Sequence, residues 1–109
     1  MKKFNGSEDF EQNLQAAEQF IVLKHSSTCP ISQAAYEEYE SFASEHENLP
    51  IYYLIVQEDR SLSNQIAEKF NIKHESPQVL LFKNGEVIWH ASHWKITYDS
   101  LTNAIKEHK

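Results

Sequence analysis

The chain has 109 residues, 40% of them apolar, with two glycines, three prolines and one cysteine. That suits one compact core covering residues 1–109 and excludes a linker, a collagen or a low-complexity tail. Ten Lys and Arg against sixteen Asp and Glu leave a net charge of −6, which argues against a nucleic-acid binder and its basic stripe. No apolar run approaches the ~18 residues of a membrane-spanning helix. The start, MKKFNGSEDFEQ, turns polar after two lysines and does not read as a signal peptide. A single cysteine rules out any disulfide within the chain. The expectation is a small acidic α/β domain of the cytoplasm.

Ser7 opens the first helical pattern, with Glu8 and Asp9 suited to the positive end of a helix dipole. Phe10, Leu14 and Ala17 then share one face. FIVLK, residues 20–24, is a continuous β-prone run of the kind buried on both faces in a parallel sheet. A polar loop over His25 to Thr28 leads to Cys29-Pro30, and Pro30 suits a first helical turn, where its missing N–H costs nothing. Ile31, Ala34, Ala35, Tyr39, Phe42 and Ala43 repeat at three- and four-residue spacing, which predicts an amphipathic helix from 30 to about 46. IYYLIV (51–56) is a second buried strand, so strand, helix and strand form a right-handed parallel crossover.

Asp59 or Ser61 can cap a third helix with Leu62, Ile66, Ala67 and Phe70 on its stripe. QVLLFK and EVIWH flank Asn84-Gly85, the strongest short hairpin signal. Thr97 caps a closing helix whose inner face is Tyr98, Leu101, Ala104 and Ile105. The predicted order is α-β-α-β-α-β-β-α: a mixed four-stranded sheet flanked by helices.

Sites in open α/β sheets sit outside the carboxyl ends of strands. Cys29 stands there, at the start of the second helix, where unpaired N–H groups and the helix dipole favour a thiolate. Such placement can lower a thiol pKa from about 8.5 to between ~3.5 and ~7.5. The plainer alternative is an inert buried cysteine, but that belongs on an apolar stripe rather than in a polar loop beside a proline. Ser32, where a second cysteine would complete C-x-x-C, faces the same way, and its hydroxyl can donate to the thiolate but cannot form a disulfide. An oxidised Cys29 must therefore be a mixed disulfide with another molecule or a lower rung of the oxidation ladder. His25 is the nearby base in sequence, with its geometry open.

The segment Ser76-Pro77-Gln78-Val79-Leu80-Leu81-Phe82-Lys83-Asn84-Gly85-Glu86-Val87 resembles the cis-proline strand and hairpin of thioredoxins. Cys29-Pro30-Ile31-Ser32 falls where their C-x-x-C would be, and the order of elements is thioredoxin-like throughout. Thr28-Cys29-Pro30-Ile31-Ser32, His74-Glu75-Ser76-Pro77-Gln78 and Ser92-His93-Trp94-Lys95-Ile96-Thr97 together resemble the monothiol bacilliredoxins. That resemblance implies a thiol–disulfide oxidoreductase of the bacillithiol redox system, active under oxidative stress. Bacillithiol, a thiol built from cysteine, glucosamine and malate, would be the co-substrate, and S-bacillithiolated proteins the partners. Cys29 would be the nucleophile, supported by Thr28, Pro30, Ser32, Ser76 and Pro77. The resemblance also implies a cis Pro77 whose neighbour Ser76 presents its backbone to a substrate; from the residues alone Pro77 reads as an ordinary turn proline. Some bacilliredoxins carry C-G-C near the site, whereas this chain has a lone Cys29 and needs an external resolving thiol.

In thioredoxin-like folds the loop holding His93, Trp94 and Lys95 lies beside the cysteine, and these three could hold an anionic malyl group. Alternatively Trp94 packs over the sheet's end and Lys95 is solvated. Trp89 reads as core, and His46 and His108 as residues of helix ends. Six histidines raise the question of zinc, but no four-ligand spacing is present and no metal is expected. A monomer with no nucleic-acid or membrane partner is the simplest expectation. Two other classes compete. One is an iron–sulfur carrier like the monothiol glutaredoxins, which have Gly and Phe where this chain has Pro30 and Ile31. The other is a non-catalytic thioredoxin-like binding module in which Cys29 is incidental.

Overall fold

The structure, a computed structural model, describes residues 1–108. A five-stranded sheet runs β1 (Lys2–Lys3), β3 (Ile51–Ile55), β2 (Gln19–His25), β4 (Gln78–Lys83) and β5 (Glu86–Ser92) across its width. Strands β1, β2 and β3 are parallel, and β4 and β5 are antiparallel to their neighbours. Helices α1 (Gly6–Ala16), α2 (Pro30–Ala43), α3 (Arg60–Phe70) and α4 (Tyr98–Glu107) cover the two faces.

Alternation along β2 divides the interior, because successive strand residues point to opposite faces. Ile21 and Leu23 join Tyr39 and Phe42 of α2 and Leu101 and Ala104 of α4. Phe20 and Val22 join Phe10 of α1 and Leu62 and Ile66 of α3. The second layer is aromatic: Phe20 stacks on Phe82 at 4.6 Å, and Phe10 meets both rings edge-on at 6.2 and 5.7 Å. Edge-to-face and offset contacts of this kind add about 0.5–1.5 kcal/mol each beyond the area they bury.

Four expectations change. The sheet has five strands rather than four, because Lys2 and Lys3 pair with Tyr52 and Tyr53, and Phe4 beyond them is buried in the aromatic layer. Helix α1 begins one residue earlier, with Asn5 at its N-cap and the Asn5 N–H donated to Asp9 Oδ2 at 3.0 Å. Helix α2 ends at Ala43 rather than near 46, in the polar stretch Ser44-Glu45. His25 is the last residue of β2 rather than the first of the loop. Asp59 is the N-cap of α3, as expected, but its carboxylate accepts from Gly6 N at 2.9 Å and ties two helix starts together rather than bonding an amide of its own helix. The hairpin turn at Asn84-Gly85 has both φ angles positive, at 53° and 81°, as two-residue primed turns require. Thr97 caps α4 by accepting from Ser100 N at 3.0 Å.

Two polar side chains lie deep in this frame. Tyr39 is fully buried, and its hydroxyl donates to Tyr52 O at 2.6 Å, with Ile21 O at 3.2 Å. Lys24 is 0% exposed, on the face of β2 shared with Phe20 and Val22. Its ammonium donates to Ser63 O at 3.0 Å and contacts His74 Nδ1 at 3.2 Å. It makes no ion pair among the described residues. Burial pushes its pKa down to about 8.

Replacing Tyr39 by Phe leaves the Tyr52 carbonyl short of its side-chain donor and should lower stability by about 1–2 kcal/mol, read as a fall in the urea midpoint. An unchanged midpoint would mean that hydroxyl anchors nothing. For Lys24 the sign follows from proton counts. Between about pH 8 and 10.5 the unfolded chain holds a proton that the folded one has lost, so this group's contribution to stability rises with pH there. Lys24→Met should therefore gain most over the wild type below about pH 8, with the gap closing toward about pH 10. Urea titrations of both proteins at neutral and alkaline pH test this, and a gap independent of pH would contradict it.

Candidate active site

The carboxyl end of β2, the start of α2 and the amino end of β4 meet at one end of the sheet. Lys24 pairs with Gln78 in the β2–β4 ladder, so the loop leaving β2 and the loop entering β4 emerge side by side. Cys29 sits at the N-cap of α2 in an extended conformation (φ −104°, ψ 123°), and Pro30 takes the first turn. The Ser76–Pro77 bond is cis and directly precedes β4.

The Cys29 thiol is partly exposed, and its pKa lies below the ordinary thiol value. The Ser32 backbone N–H is the largest cause, followed by the Ile31 N–H; the Ser32 hydroxyl adds to them, while desolvation opposes all three. These are the first free amides of α2, which have no partner inside the helix. Ser32 is fully buried, and its Oγ also accepts from Ser26 N at 3.2 Å. Loop 26–28 is fastened from β3's side. Gln57 accepts from Ser27 N at 3.2 Å and donates to Ser26 Oγ at 2.8 Å and Thr28 Oγ1 at 3.2 Å.

His25 is buried against Tyr36, with ring centroids 4.9 Å apart. Burial lowers its pKa against a hydrogen bond with the Ser32 backbone, and its Nδ1 has no partner. It packs α2 against the strand end.

Across from α2, His93 donates its backbone N–H to Pro77 O at 3.0 Å and brings its ring 3.6 Å from the Glu75 carboxylate. His93 to Lys95 form a 3-10 turn, begun by a positive φ of 55° at His93. Trp94 is 70% exposed and does not cover the sheet's end. The turn divides two grooves of 330 Å³ each. One lies between β5 and the loop before β4, where Lys73, His90, His93 and Lys95 gather around Glu75 and Gln78. The other is floored by Ile31, Ala34 and Ile96 and flanked by Trp94 and Glu38. Roomier concavities of 570 and 610 Å³ lie at the far end of the sheet around residues 44–50, and Cys29 lines none of these four cavities. Among the described residues there is no group of three or more His, Cys, Asp or Glu able to hold a metal. No helix is long and apolar enough to cross a membrane.

The structure thus brings Cys29, Thr28, Pro30 and Ser32 together on one side, and Ser76, Pro77 and His93 on the other. Trp94 and Lys95 point away from the core. Gln57, Lys73, Gln78 and His90 escape a reading by motif: strand register sets Gln57 beside loop 26–28, and brings Lys73, Gln78 and His90 together in the groove before β4.

The sequence model of the family described as monothiol bacilliredoxin BrxC matches residues 2–101. This chain belongs to that family. A solved structure described as a proposed oxidoreductase with a thioredoxin fold is 46% identical over 94% of this chain and 91% of its own, with a TM-score of 0.88. A thioredoxin of Plasmodium falciparum is 18% identical over the whole of both chains (TM-score 0.79). A thioredoxin of Malassezia sympodialis is 19% identical over 99% of this chain and 90% of its own (TM-score 0.78). Those two show the fold alone. Family and fold together make this bacilliredoxin a thiol–disulfide oxidoreductase, and Cys29 is its one cysteine.

With backbone amides as the leading cause of the low thiol pKa, Ser32→Ala should raise the Cys29 pKa only part of the way back to the ordinary thiol value. The ultraviolet absorbance of the thiolate against pH measures it. A return to the value of a free thiol would make the hydroxyl, not the helix start, the main support.

Proposed function

We propose that the chain acts as a single domain that removes bacillithiol from S-bacillithiolated proteins through a mixed disulfide on Cys29. The observation that carries this reading is a thiolate-stabilising helix start with one cysteine and a buried serine where a second sulfur would stand. The Cys29 thiolate attacks the bacillithiol sulfur of the capped client. A bond forms between Cys29 Sγ and that sulfur, the client's sulfur–sulfur bond breaks, and the client leaves as a thiolate that takes a proton from water. The client cysteine is reduced and Cys29 is oxidised. A second thiol from outside the chain then attacks the adduct, becomes the new disulfide partner and returns Cys29 to its thiolate.

The surroundings suit such a substrate. Ser76 and Pro77 offer a strand edge to an extended client segment, a mode in which main-chain hydrogen bonds supply affinity. Malate carries carboxylates, and the groove beside the proline gathers Lys73, His90, His93 and Lys95 in a chain of net charge −6. Trp94, exposed next to it, can cover the sugar with its ring. In this reading Thr28, Pro30 and Ser32 shape and charge the nucleophile, and His93, Trp94 and Lys95 hold the cofactor thiol.

Intact-mass spectrometry after mixing the reduced protein with a bacillithiolated client tests the transfer, with a glutathionylated client and Cys29→Ser in parallel. The expected result is one bacillithiol adduct, a freed client thiol, weaker transfer from the glutathionylated client and none with Cys29→Ser. No adduct from either client at a pH above the measured Cys29 pKa would overturn the reading. Lys95→Ala should weaken transfer of bacillithiol more than transfer of glutathione, and equal losses would remove Lys95 from the recognition.

A further inference from the structure

Residues 71–77 have no regular structure, yet they carry the Ser76–Pro77 edge. Side chains of the sheet hold them from beneath. Gln78 donates Nε2–H to Lys73 O at 3.0 Å. Lys24 Nζ lies 3.2 Å from His74 Nδ1, and Ser63 Oγ lies 3.0 Å from the same nitrogen. An ammonium has only hydrogens to offer, so Nδ1 is an acceptor and the ring's proton sits on Nε2. Burial, followed by the Lys24 and Arg60 charges, opposes protonation of this ring, and Glu75 favours it.

A buried ammonium without a carboxylate is a cost to the fold, and an apolar side chain of equal length would be neutral or better. What Lys24 does must therefore be sought in what it touches. It cannot act on the thiol directly, because it lies on the α1–α3 face of the sheet while Cys29 begins the helix on the other. Its contacts are α3 and the proline loop.

We propose that Lys24 is a positioning residue. By locking His74 as the Nε2–H tautomer against Ser63, it fixes the loop that presents the Ser76 backbone to an extended client. This rests on the reading that clients pair with that edge. Cys29 reactivity toward a small disulfide, which has no backbone to pair, does not depend on it.

Lys24→Met separates these effects. Exchange with a peptide mixed disulfide should slow about ten-fold, a loss of the size expected when a reactant is misplaced by a fraction of an ångström. Exchange with dithiodipyridine should stay within about two-fold of the wild type, with the Cys29 pKa unmoved. Hydrogen exchange at the His93 amide, which donates to Pro77 O, should quicken. Equal slowing with both disulfides, or unchanged peptide exchange together with an unchanged His93 amide, overturns the proposal. Should Lys24→Met not fold, nitrogen-15 shifts of His74 in the wild type decide the matter. The Nε2–H tautomer at neutral pH supports the lock, and the Nδ1–H tautomer or an imidazolium refutes it. If wild-type protein exchanges with the small disulfide but with no peptide, the client reading fails, and the His93 amide and His74 shifts still test the lock.

Discussion

Strand β2 is hydrogen-bonded along both edges, parallel to β3 and antiparallel to β4, and it is buried from Phe20 to His25. A strand in that position has no freedom of register, since a slip of one residue would exchange its two faces. Phe20 and Val22 would leave the aromatic layer, and Lys24 would be driven among the side chains of α2. The same two ladders assemble the site. Pairing of His25 with Ile55 carries Gln57 alongside loop 26–28, and pairing of Lys24 with Gln78 carries the cis-proline to the same end of the sheet. The cysteine is placed by the strand that precedes it and the proline by the strand that follows it.

Two groups near this end have lowered pKa values for opposite physical reasons. At Cys29 the charged form is favoured, because backbone amides of Ile31 and Ser32 face the sulfur. At Lys24 the charged form is disfavoured, because burial removes water that no carboxylate replaces. The first needs no neighbouring cation, which lets a chain of net charge −6 favour the thiolate form. It is also short-ranged, so salt screens it little in comparison with surface charges a Debye length away. The second couples the interior of the sheet to a loop that has no secondary structure of its own.

Much of this was legible in the residues. The FIVLK run, the Ile31 to Ala43 periodicity, the Asn84-Gly85 turn and the Thr97 cap each follow from a local rule, and each element formed where that rule applies. The position of Cys29 followed from the same rules. What escaped depends on pairs distant in sequence. Lys2 and Lys3 form a strand only because β3 has a free edge to accept them, and no local pattern announces a two-residue strand. Asp59 is the helix cap it looked like, yet its carboxylate accepts from Gly6, more than fifty positions away. Lys24 falls inside the buried FIVLK run, but the residues that meet its ammonium, Ser63 and His74, are about forty and fifty positions away. Exposure of Trp94 turns on the positive φ at His93, which the residue types around it do not dictate.

The serine at position 32 is more than a missing cysteine. Its side chain is enclosed, and its oxygen takes a hydrogen from Ser26 N while its hydroxyl and backbone amide both support the Cys29 thiolate. A sulfur in its place would be a poorer acceptor for that amide and would sit away from solvent. The arrangement therefore builds one sulfur to be attacked from outside and leaves none behind it. Any disulfide at Cys29 joins two molecules, and its lifetime depends on how a second thiol reaches the sulfur. Pro30 and the enclosed Ser32 stand on the helix side of that sulfur, and the thiol itself is partly exposed. With one cysteine, the exposure that lets a disulfide reach Cys29 is the same exposure through which a resolving thiol must come.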